Sequence, residues 1–302
     1  MSKLPTQVKI VEVGPRDGLQ NEPGRIPTDL KLAFIAKLAE SGLREIEATS
    51  FVHPKAIPHL ADAVEVAGRL PSSAGVTYSA LVPNQKGLDR ALESGIRRIA
   101  VFTAASDSFT KKNINMTVDE SLATFAPVVK AALAAGLTVR GYVATAFVCP
   151  YEGDVSKDRV LDVTNRLLEM GIDEVAVSDT IGAAAPTDID ATVGHLLKAI
   201  PAEKLALHLH DTYGTARANI LAGLQIGITT FDSSAGGLGG CPYAPGASGN
   251  LATEDLVYML DRMGIATGVD LQRVFEASSL IAKELNRSLP SRQWQRLSAA
   301  CK

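Results

Sequence analysis

The segment KDRVLDVTNRLLEMGIDEVAVS, residues 157–178, joins an amphipathic helix to a short apolar strand. Its first apolar side chains recur at helical spacing, which predicts a helix over residues 157–170. Gly171 ends that helix, because glycine adopts the left-handed conformation of the C′ position without steric cost. The strand predicted at 174–178 is mostly apolar, as expected when both faces of a parallel sheet are buried. Similar junctions are AGLTV at residues 135–139 and IGITTF at residues 226–231.

The order of strand, turn and helix repeats along the chain. Strands are predicted at 8–13, 45–49, 76–82, 98–102, within 138–148, and at 174–178, 204–210 and 229–233; helices are predicted at 28–41, 59–69, 87–94, 118–135, 157–170, 188–199 and 216–226. Thr28 is a candidate cap for the first of these helices. Eight strands in such a series favour a closed barrel over an open doubly wound sheet. We therefore predict an α/β fold, a (β/α)8 TIM barrel over about residues 8–235. A glycine-rich loop at 236–250 and additional C-terminal helices within 253–302 would complete a single domain, residues 1–302, because no linker interrupts the series.

Composition and charge argue against several classes of partner. The 302 residues carry a formal net charge of -3, which supplies no basic field for nucleic acid or for a membrane surface. No apolar run reaches the roughly 20 residues that span a bilayer, and residues 1–7 are too short and polar for a signal peptide. The cysteines are few and widely spaced, which argues against a disulfide framework: Cys149, Cys241 and Cys301. A cytoplasmic location is therefore expected.

Two histidines end the strand predicted at residues 204–210. Residues i and i+2 of a strand project to the same face, so His208 and His210 should point together into the barrel mouth, where active sites of this fold lie. Such a pair suits a divalent metal, although two histidines with ordinary hydrogen bonds would give the same pattern. Asp17, after the first strand, could add an oxygen ligand or could be a turn residue. A mixed set of this kind suits Mg²⁺ or Mn²⁺, with Zn²⁺ as an alternative.

The loop GGLGGCPYAPGASGN, residues 236–250, is dense in glycine. A glycine-hinged loop over a barrel mouth can close as a lid. Cys241 within the loop has an ordinary pKa of about 8.5, so its thiol is mostly protonated at neutral pH and could donate a proton. It could equally be an incidental thiol. Asn250, at the end of the loop, would otherwise cap the helix predicted at 253–263.

Segments distributed along the whole chain carry a family resemblance. The longest are VEVGPRDGLQNE at residues 11–22, HLHDTYG at 208–214 and the cysteine-containing GLGGCPYAPGASGNLATED at 237–255. Shorter ones are TSFV at 49–52, FTKKNIN at 109–115, RGYV at 140–143, CPYEG at 149–153 and DTIG at 179–182. Together they resemble the 3-hydroxy-3-methylglutaryl-CoA lyases, and the cysteine loop is the most specific match. The resemblance implies a metal-dependent barrel that cleaves this thioester to acetyl-CoA and acetoacetate.

The resemblance also implies a set of metal ligands: Asp17, His208, His210 and Asn250. Mg²⁺ or Mn²⁺ is the implied ion, an acyl-CoA is the implied small-molecule substrate, and a homodimer is the implied assembly.

The implied catalytic groups surround that metal site. Arg16 would neutralise the thioester oxygen as it becomes an enolate, and Cys241 would protonate the carbanion carbon. Asp17 or His208 would remove the proton of the C3 hydroxyl. Glu47 and Asp179 are implied as supporting or acid–base groups, and Glu254 is implied as support for the Asn250 end of the site.

Other functions stay open at this point. A condensing member of the superfamily, such as an isopropylmalate or homocitrate synthase, shares the metal ligands but lacks this cysteine loop. A lyase for a related 3-hydroxyacyl-CoA would differ only in the acyl side chain, whereas the intact set of site residues disfavours a non-catalytic binding barrel. No P-loop or GxGxxG motif identifies a site for the CoA nucleotide, although Lys111 and Lys112 could contact its phosphates.

Overall fold

A closed barrel of parallel strands forms the centre of the molecule. The computed structural model describes residues 4–22, 24–72, 74–240 and 249–300. The strands of the barrel are β1 Lys9–Glu12, β2 Glu45–Ser50, β3 Thr77–Leu81, β4 Arg98–Ala104, β5 Thr138–Ala144, β8 Glu174–Asp179, β9 Leu205–Leu209 and β10 Thr230–Ser233; a separate hairpin consists of β6 Val148–Cys149 and β7 Gly153–Asp154. Around the barrel their order is β1-β10-β9-β8-β5-β4-β3-β2, so each strand pairs with its neighbours in the series. The predicted (β/α)8 barrel is confirmed.

Helices cover the outside of this barrel. They are α1 Thr28–Glu40, α2 Ala63–Gly68, α3 Gln85–Glu93, α4 Asp107–Ile114, α5 Val118–Ala134, α6 Lys157–Glu169, α7 Pro186–Leu196 and α8 Ala216–Gln225. The C-terminal helices are α9 Thr253–Arg262, α10 Leu271–Leu285 and α11 Arg292–Ala300. Among the described residues, no helix combines the length and the hydrophobicity that a membrane span requires.

Three local features differ from the sequence-based expectations. The helix α4 was not predicted, because only Phe109 and Thr110 of its eight residues are buried and its apolar periodicity is weak. The single helix expected at 59–69 is a 3-10 turn, Pro58–Leu60, followed by the shorter α2. Thr28 was expected to cap α1, but it is the first helical residue, and its hydroxyl donates to Oδ2 of Asp62 at 2.8 Å.

The interior of the barrel contains both apolar and charged side chains. A large hydrophobic core lies between the strands and the helices, and a smaller apolar cluster lies inside the barrel. The members of the inner cluster are Leu81, Ala100, Tyr142, Ala176 and Ala206. Beside them the guanidinium of Arg140 contacts the carboxylates of Glu174 and Asp232, so buried ion pairs connect β5, β8 and β10.

The C-terminal segment packs closely against the end of α1, which gives a stability prediction. Gly42 has φ +98°, and a Cβ atom there would overlap the carbonyl oxygen of Gly268. Gly95 has a similar φ of +82°, but a Cβ atom there would meet no other atom within 4 Å. We expect Gly95→Ala to cost about 1–2 kcal/mol from left-handed strain, and Gly42→Ala to cost about 1–3 kcal/mol more, because backbone must move. Denaturant unfolding of both variants measures the difference; equal losses would contradict the close packing.

Candidate active site

A tight turn after β1 positions two charged side chains at the barrel mouth. Residues Gly14–Gly18 form one π-helical turn, in which the carbonyl of Val13 accepts from the backbone N–H groups of Asp17 and Gly18. Arg16 and Asp17 therefore project from a short, closed turn rather than from an open loop. Both residues follow the first strand, as the sequence predicts.

Asp17 and the two histidines of the β9 end form a compact group. Oδ2 of Asp17 lies 3.9 Å from Nε2 of His208 and 3.9 Å from Nε2 of His210, and one ligand atom of each residue lies within 4.8 Å of the others. Burial, together with the nearby His208, lowers the pKa of His210 to about 4, so its imidazole is neutral at pH 7. Burial alone would raise the pKa of Asp17, but the charge of Arg16 holds it well below its ordinary value.

This donor set fits a divalent cation. One carboxylate oxygen and two imidazole nitrogens face a common point, and they come from chain segments about 190 residues apart in sequence that only the barrel brings together. An anionic oxygen next to neutral nitrogen donors is the combination that binds Mn²⁺, Mg²⁺ or Zn²⁺ in proteins.

Asn250 lies in the same group, but its amide has a different orientation from the one a ligand needs. Its Nδ2 donates to Oδ2 of Asp17 at 2.8 Å and to the carbonyl of Leu238 at 3.3 Å. A half-turn of the amide would bring its oxygen, the atom that binds cations, to the side of Asp17. The alternative role of Asn250 as a helix cap is wrong, because α9 begins at Thr253 and Ala252 is its N-cap.

Arg16 is held at the wall of the site by two carboxylates. Its guanidinium donates to Oδ1 of Asp17 at 2.5 Å and to Oε2 of Glu47 at 2.8 Å. The hydroxyl of Tyr142 also donates to Oε2 of Glu47, at 3.0 Å. The register of β2 against β3 shifts between Glu47 and Thr49, at the end of the strand nearest the site. Glu47 therefore fixes the direction of the guanidinium.

Two of the expected carboxylates bind backbone rather than the group of histidines. Asp179 accepts from the N–H groups of Ala183 and Ala184 at 3.1 and 3.0 Å, and burial raises its pKa to about 6. Glu254 accepts from the N–H of Gly236 at 2.7 Å, and burial raises its pKa to about 7. These contacts brace the loop after β8 and the first residues of the glycine-rich loop. Glu254 thus contacts the start of that loop, and its support of the Asn250 end of the site stays a prediction.

Cys241 lies outside the described residues, which stop at Gly240 and resume at Gly249. Gly240, the last described residue before this gap, lines the cavity described next.

A cavity of about 420 Å³ opens next to Arg16 and the histidines. One part of its wall is polar and contains Arg16, Asp17, His208 and His210. Another part is mostly apolar, and its lining includes Val52, Ile57, Phe102, Phe109 and Ile114. The cavity therefore accommodates a molecule with a charged or oxygen-rich end and a less polar remainder.

Three buried charged side chains of the barrel strands were not singled out as site residues from the sequence. Asp232, near the end of β10, lies 3.1 Å from Nδ1 of His208, and Arg140 contacts Asp232 through two nitrogens. Glu12 accepts from the N–H groups of Gly14 and Ala235 and so joins the turn after β1 to the segment after β10. The available signal was an acidic residue near the end of a predicted strand, as in VKIVEV at residues 8–13 and TTFDS at residues 229–233.

A closed parallel barrel with ionisable side chains grouped beside a cavity at the carboxyl ends of its strands defines an enzyme of the TIM-barrel class. A family model described as HMGL-like matches residues 7–281. The chain belongs to this family, and it is a carbon–carbon lyase. The family resemblance carried by the sequence motifs is confirmed.

The relatives are similar over nearly their full length. Hydroxymethylglutaryl-CoA lyase, mitochondrial, from Bos taurus is 52% identical over 299 residues, which are 99% of this chain and 91% of the bovine one. The crystal structure of the HMG-CoA lyase of Bacillus subtilis has a TM-score of 0.96 and 52% identity, covering 98% of this chain and 99% of that one. An HMG-CoA lyase from Acinetobacter baumannii, solved in complex with coenzyme A and 3-methylmalate, has a TM-score of 0.91 and 40% identity, covering 97% and 95%.

Proposed function

We propose that the protein cleaves (3S)-3-hydroxy-3-methylglutaryl-CoA to acetyl-CoA and acetoacetate with the help of Mg²⁺ or Mn²⁺. The observation that carries this proposal is the convergence of Asp17, His208 and His210 beside Arg16 on one cavity. The names of the relatives support the substrate, and the coenzyme A bound to the Acinetobacter baumannii lyase supports an acyl-CoA. We further propose that residues 1–302 act as a single catalytic domain.

The cation would be held by four side chains: Asp17, His208, His210 and, after rotation of its amide, Asn250. When bound, it would supply Lewis-acid polarisation of the C3 hydroxyl and the distal carboxylate of the substrate. The proton of that hydroxyl passes to Asp17 or to His208, both of which face the cavity. Each candidate has one feature against it: the charge of Arg16 lowers the pKa of Asp17, and a ring nitrogen of His208 would be occupied by the cation.

Bond cleavage moves negative charge onto the thioester. The C3 hydroxyl oxygen becomes the ketone of acetoacetate, the C2–C3 bond breaks, and its electron pair forms the enolate of acetyl-CoA. Arg16 is directed at the cavity by Glu47 and would stabilise the enolate oxygen as charge develops there. Cys241 would then give its proton to C2, which completes acetyl-CoA.

Incubation of purified protein and Mg²⁺ with 3-hydroxy-3-methylglutaryl-CoA tests the proposal. We expect equal amounts of acetoacetate and acetyl-CoA, and no product after the cation is removed with a chelator. A panel of related 3-hydroxyacyl-CoA esters distinguishes this substrate from a neighbour with another acyl side chain. Condensation of acetyl-CoA with a 2-oxo acid, in the absence of cleavage, would instead support a synthase of the same superfamily.

Replacement of Cys241 by alanine is expected to lower kcat by about 10²- to 10⁴-fold, the usual contribution of a positioned acid. Mn²⁺ affinity should remain unchanged, since the thiol is not among the proposed ligands. Cys149→Ala is the matched control: Cys149 is buried, its sulfur contacts Oγ of Ser106 at 3.0 Å, and it is not among the described residues that line the cavity. Steady-state kinetics on both variants give the answer, and a Cys241→Ala enzyme with normal turnover would remove the acid role.

The assembly and location of the protein are also proposals. The family resemblance implies a homodimer, the sequence predicts a cytoplasmic location, and neither nucleic acid nor membrane is an expected partner. Relatives include lyases named as cytoplasmic and as mitochondrial, so relationship alone supports either compartment. Light scattering of the purified protein measures the oligomeric state.

A further inference from the structure

Asp232 contacts His208 from the side opposite the proposed cation. It is buried near the end of β10, where its Oδ2 lies 3.1 Å from Nδ1 of His208. The other ring nitrogen of His208, Nε2, is the one that lies 3.9 Å from Asp17. The imidazole thus stands between two carboxylates, one at each ring nitrogen.

Arg140 determines whether Asp232 accepts or donates in its hydrogen bond with His208. Its two terminal nitrogens donate to both oxygens of Asp232, at 2.9 and 2.6 Å. Both oxygens of Asp232 thus accept from a guanidinium, which can only donate, and a carboxylate paired in this way can only accept further hydrogen bonds. The contact with His208 therefore requires a proton on Nδ1.

We infer that Asp232 is a positioning residue that fixes the imidazole of His208 in the tautomer with Nδ1 protonated and Nε2 free to bind a cation. A neutral imidazole carries one ring proton, so a proton held at Nδ1 leaves the lone pair of Nε2 directed at Asp17 and His210. Arg140 holds Asp232 in place from within the barrel. The cation part of this inference rests on the proposed function, but the tautomer does not.

The tautomer can be measured in the metal-free, full-length protein labelled with ¹⁵N-histidine. The chain contains five histidines, and the signals of His208 are identified by their loss in His208→Gln. Long-range ¹H–¹⁵N correlation spectra distinguish a protonated ring nitrogen from an unprotonated one. We expect Nδ1 of His208 to be protonated and Nε2 not. The opposite pattern in the unaltered protein overturns the inference without any variant of Asp232.

Asp232→Asn tests the source of the preference. The amide oxygen of asparagine can accept from Arg140, which turns its NH₂ group toward Nδ1 and makes that nitrogen an acceptor. We expect the Nε2-protonated form to become the major one, and Mn²⁺ affinity, measured by calorimetry, to fall about 10- to 100-fold.

Glu174→Gln is the matched control, because Glu174 is also a buried carboxylate bound to Arg140. It accepts from Nε of Arg140 at 2.8 Å and has no described contact with His208. The control should keep the tautomer of His208, and its Mn²⁺ affinity should change by less than about threefold, well below the effect expected for a partner of a ligand. Equal changes in both variants would mean that loss of a buried charge is the cause, and would overturn the role of Asp232. If His208 has the expected tautomer but the protein has no lyase activity, the proposed function is contradicted and the tautomer assignment is not.

Discussion

Arg16→Met is expected to lower kcat by about 10²- to 10³-fold, the usual cost of removing one donor that faces a developing oxyanion. KM should change little, because the enolate charge is present in the transition state and not in the bound substrate. The structure supports the prediction through the direction of the guanidinium. Glu47 and Asp17 each accept one of its hydrogen bonds, so Arg16 meets the substrate in a single, prepared orientation.

The same substitution leaves the carboxylates of Asp17 and Glu47 without the guanidinium to which both are hydrogen-bonded. Removing one partner of a buried ion pair costs about 3–5 kcal/mol, so stability must be measured beside turnover. Arg98→Met is the matched control. Arg98 is buried at the start of β4, where its guanidinium donates to Asp173 at 2.5 Å, and it does not line the cavity of the active site. The control should lose stability and keep kcat, whereas normal kcat in Arg16→Met would contradict the role in charge stabilisation.

The elements of the barrel could be predicted from the sequence because each junction carries its own signals. The helix predicted at 157–170 is Lys157–Glu169, and the strand predicted at 174–178 is Glu174–Asp179. Gly171, with φ +95°, separates them as expected. A helix cannot be recognised in this way where too few of its residues are buried to give an apolar periodicity. The helix α4 is short and only two of its eight residues are buried, so its sequence lacks the apolar stripe by which α6 is recognised.

The grouping of Asp17, His208 and His210 was predictable for a geometric reason. Strand alternation directs the two imidazoles to one side, and closure of the barrel brings the ends of β1 and β9 together. What the sequence leaves undetermined is the choice of partners. The pairing of Arg140 with Asp232 joins residues 92 positions apart, and it depends on the register of strands that the sequence does not specify.

For two of the carboxylates, too, the residue could be selected from the sequence, whereas its hydrogen-bond partners could not. Asp179 was expected in a supporting or acid–base role and Glu254 in a supporting one, and the structure adds that each accepts from backbone N–H. Those contacts depend on the local path of a loop, which is decided by packing rather than by residue spacing. Asn250 illustrates a finer limit: its position could be expected, whereas the orientation of its amide follows from the hydrogen bond to Asp17.

Asp17→Asn is expected to have the largest effect on metal binding. The substitution keeps the shape of the side chain but replaces the anionic oxygen, which is the strongest attraction that this group offers to a hard cation. Loss of a residue that hydrogen-bonds to a metal ligand weakens metal binding about 10- to 100-fold. Loss of the charged ligand itself should therefore weaken it by at least about 100-fold. Turnover should fall in parallel at limiting Mn²⁺, because polarisation of the C3 hydroxyl depends on the cation.

Asp211→Asn provides the control for Asp17→Asn, because Asp211 directly follows His210 in the sequence. Its Oδ1 accepts from the backbone N–H of Ala216 at 3.0 Å, at the start of α8, and it is not part of the group formed by Asp17 and the histidines. The control removes the same charge close to the site, so a general electrostatic effect would lower Mn²⁺ affinity in both variants. Calorimetric titration with Mn²⁺ separates the two cases. Unchanged Mn²⁺ affinity in Asp17→Asn would exclude Asp17 as a ligand and, with it, the proposed arrangement of the metal site.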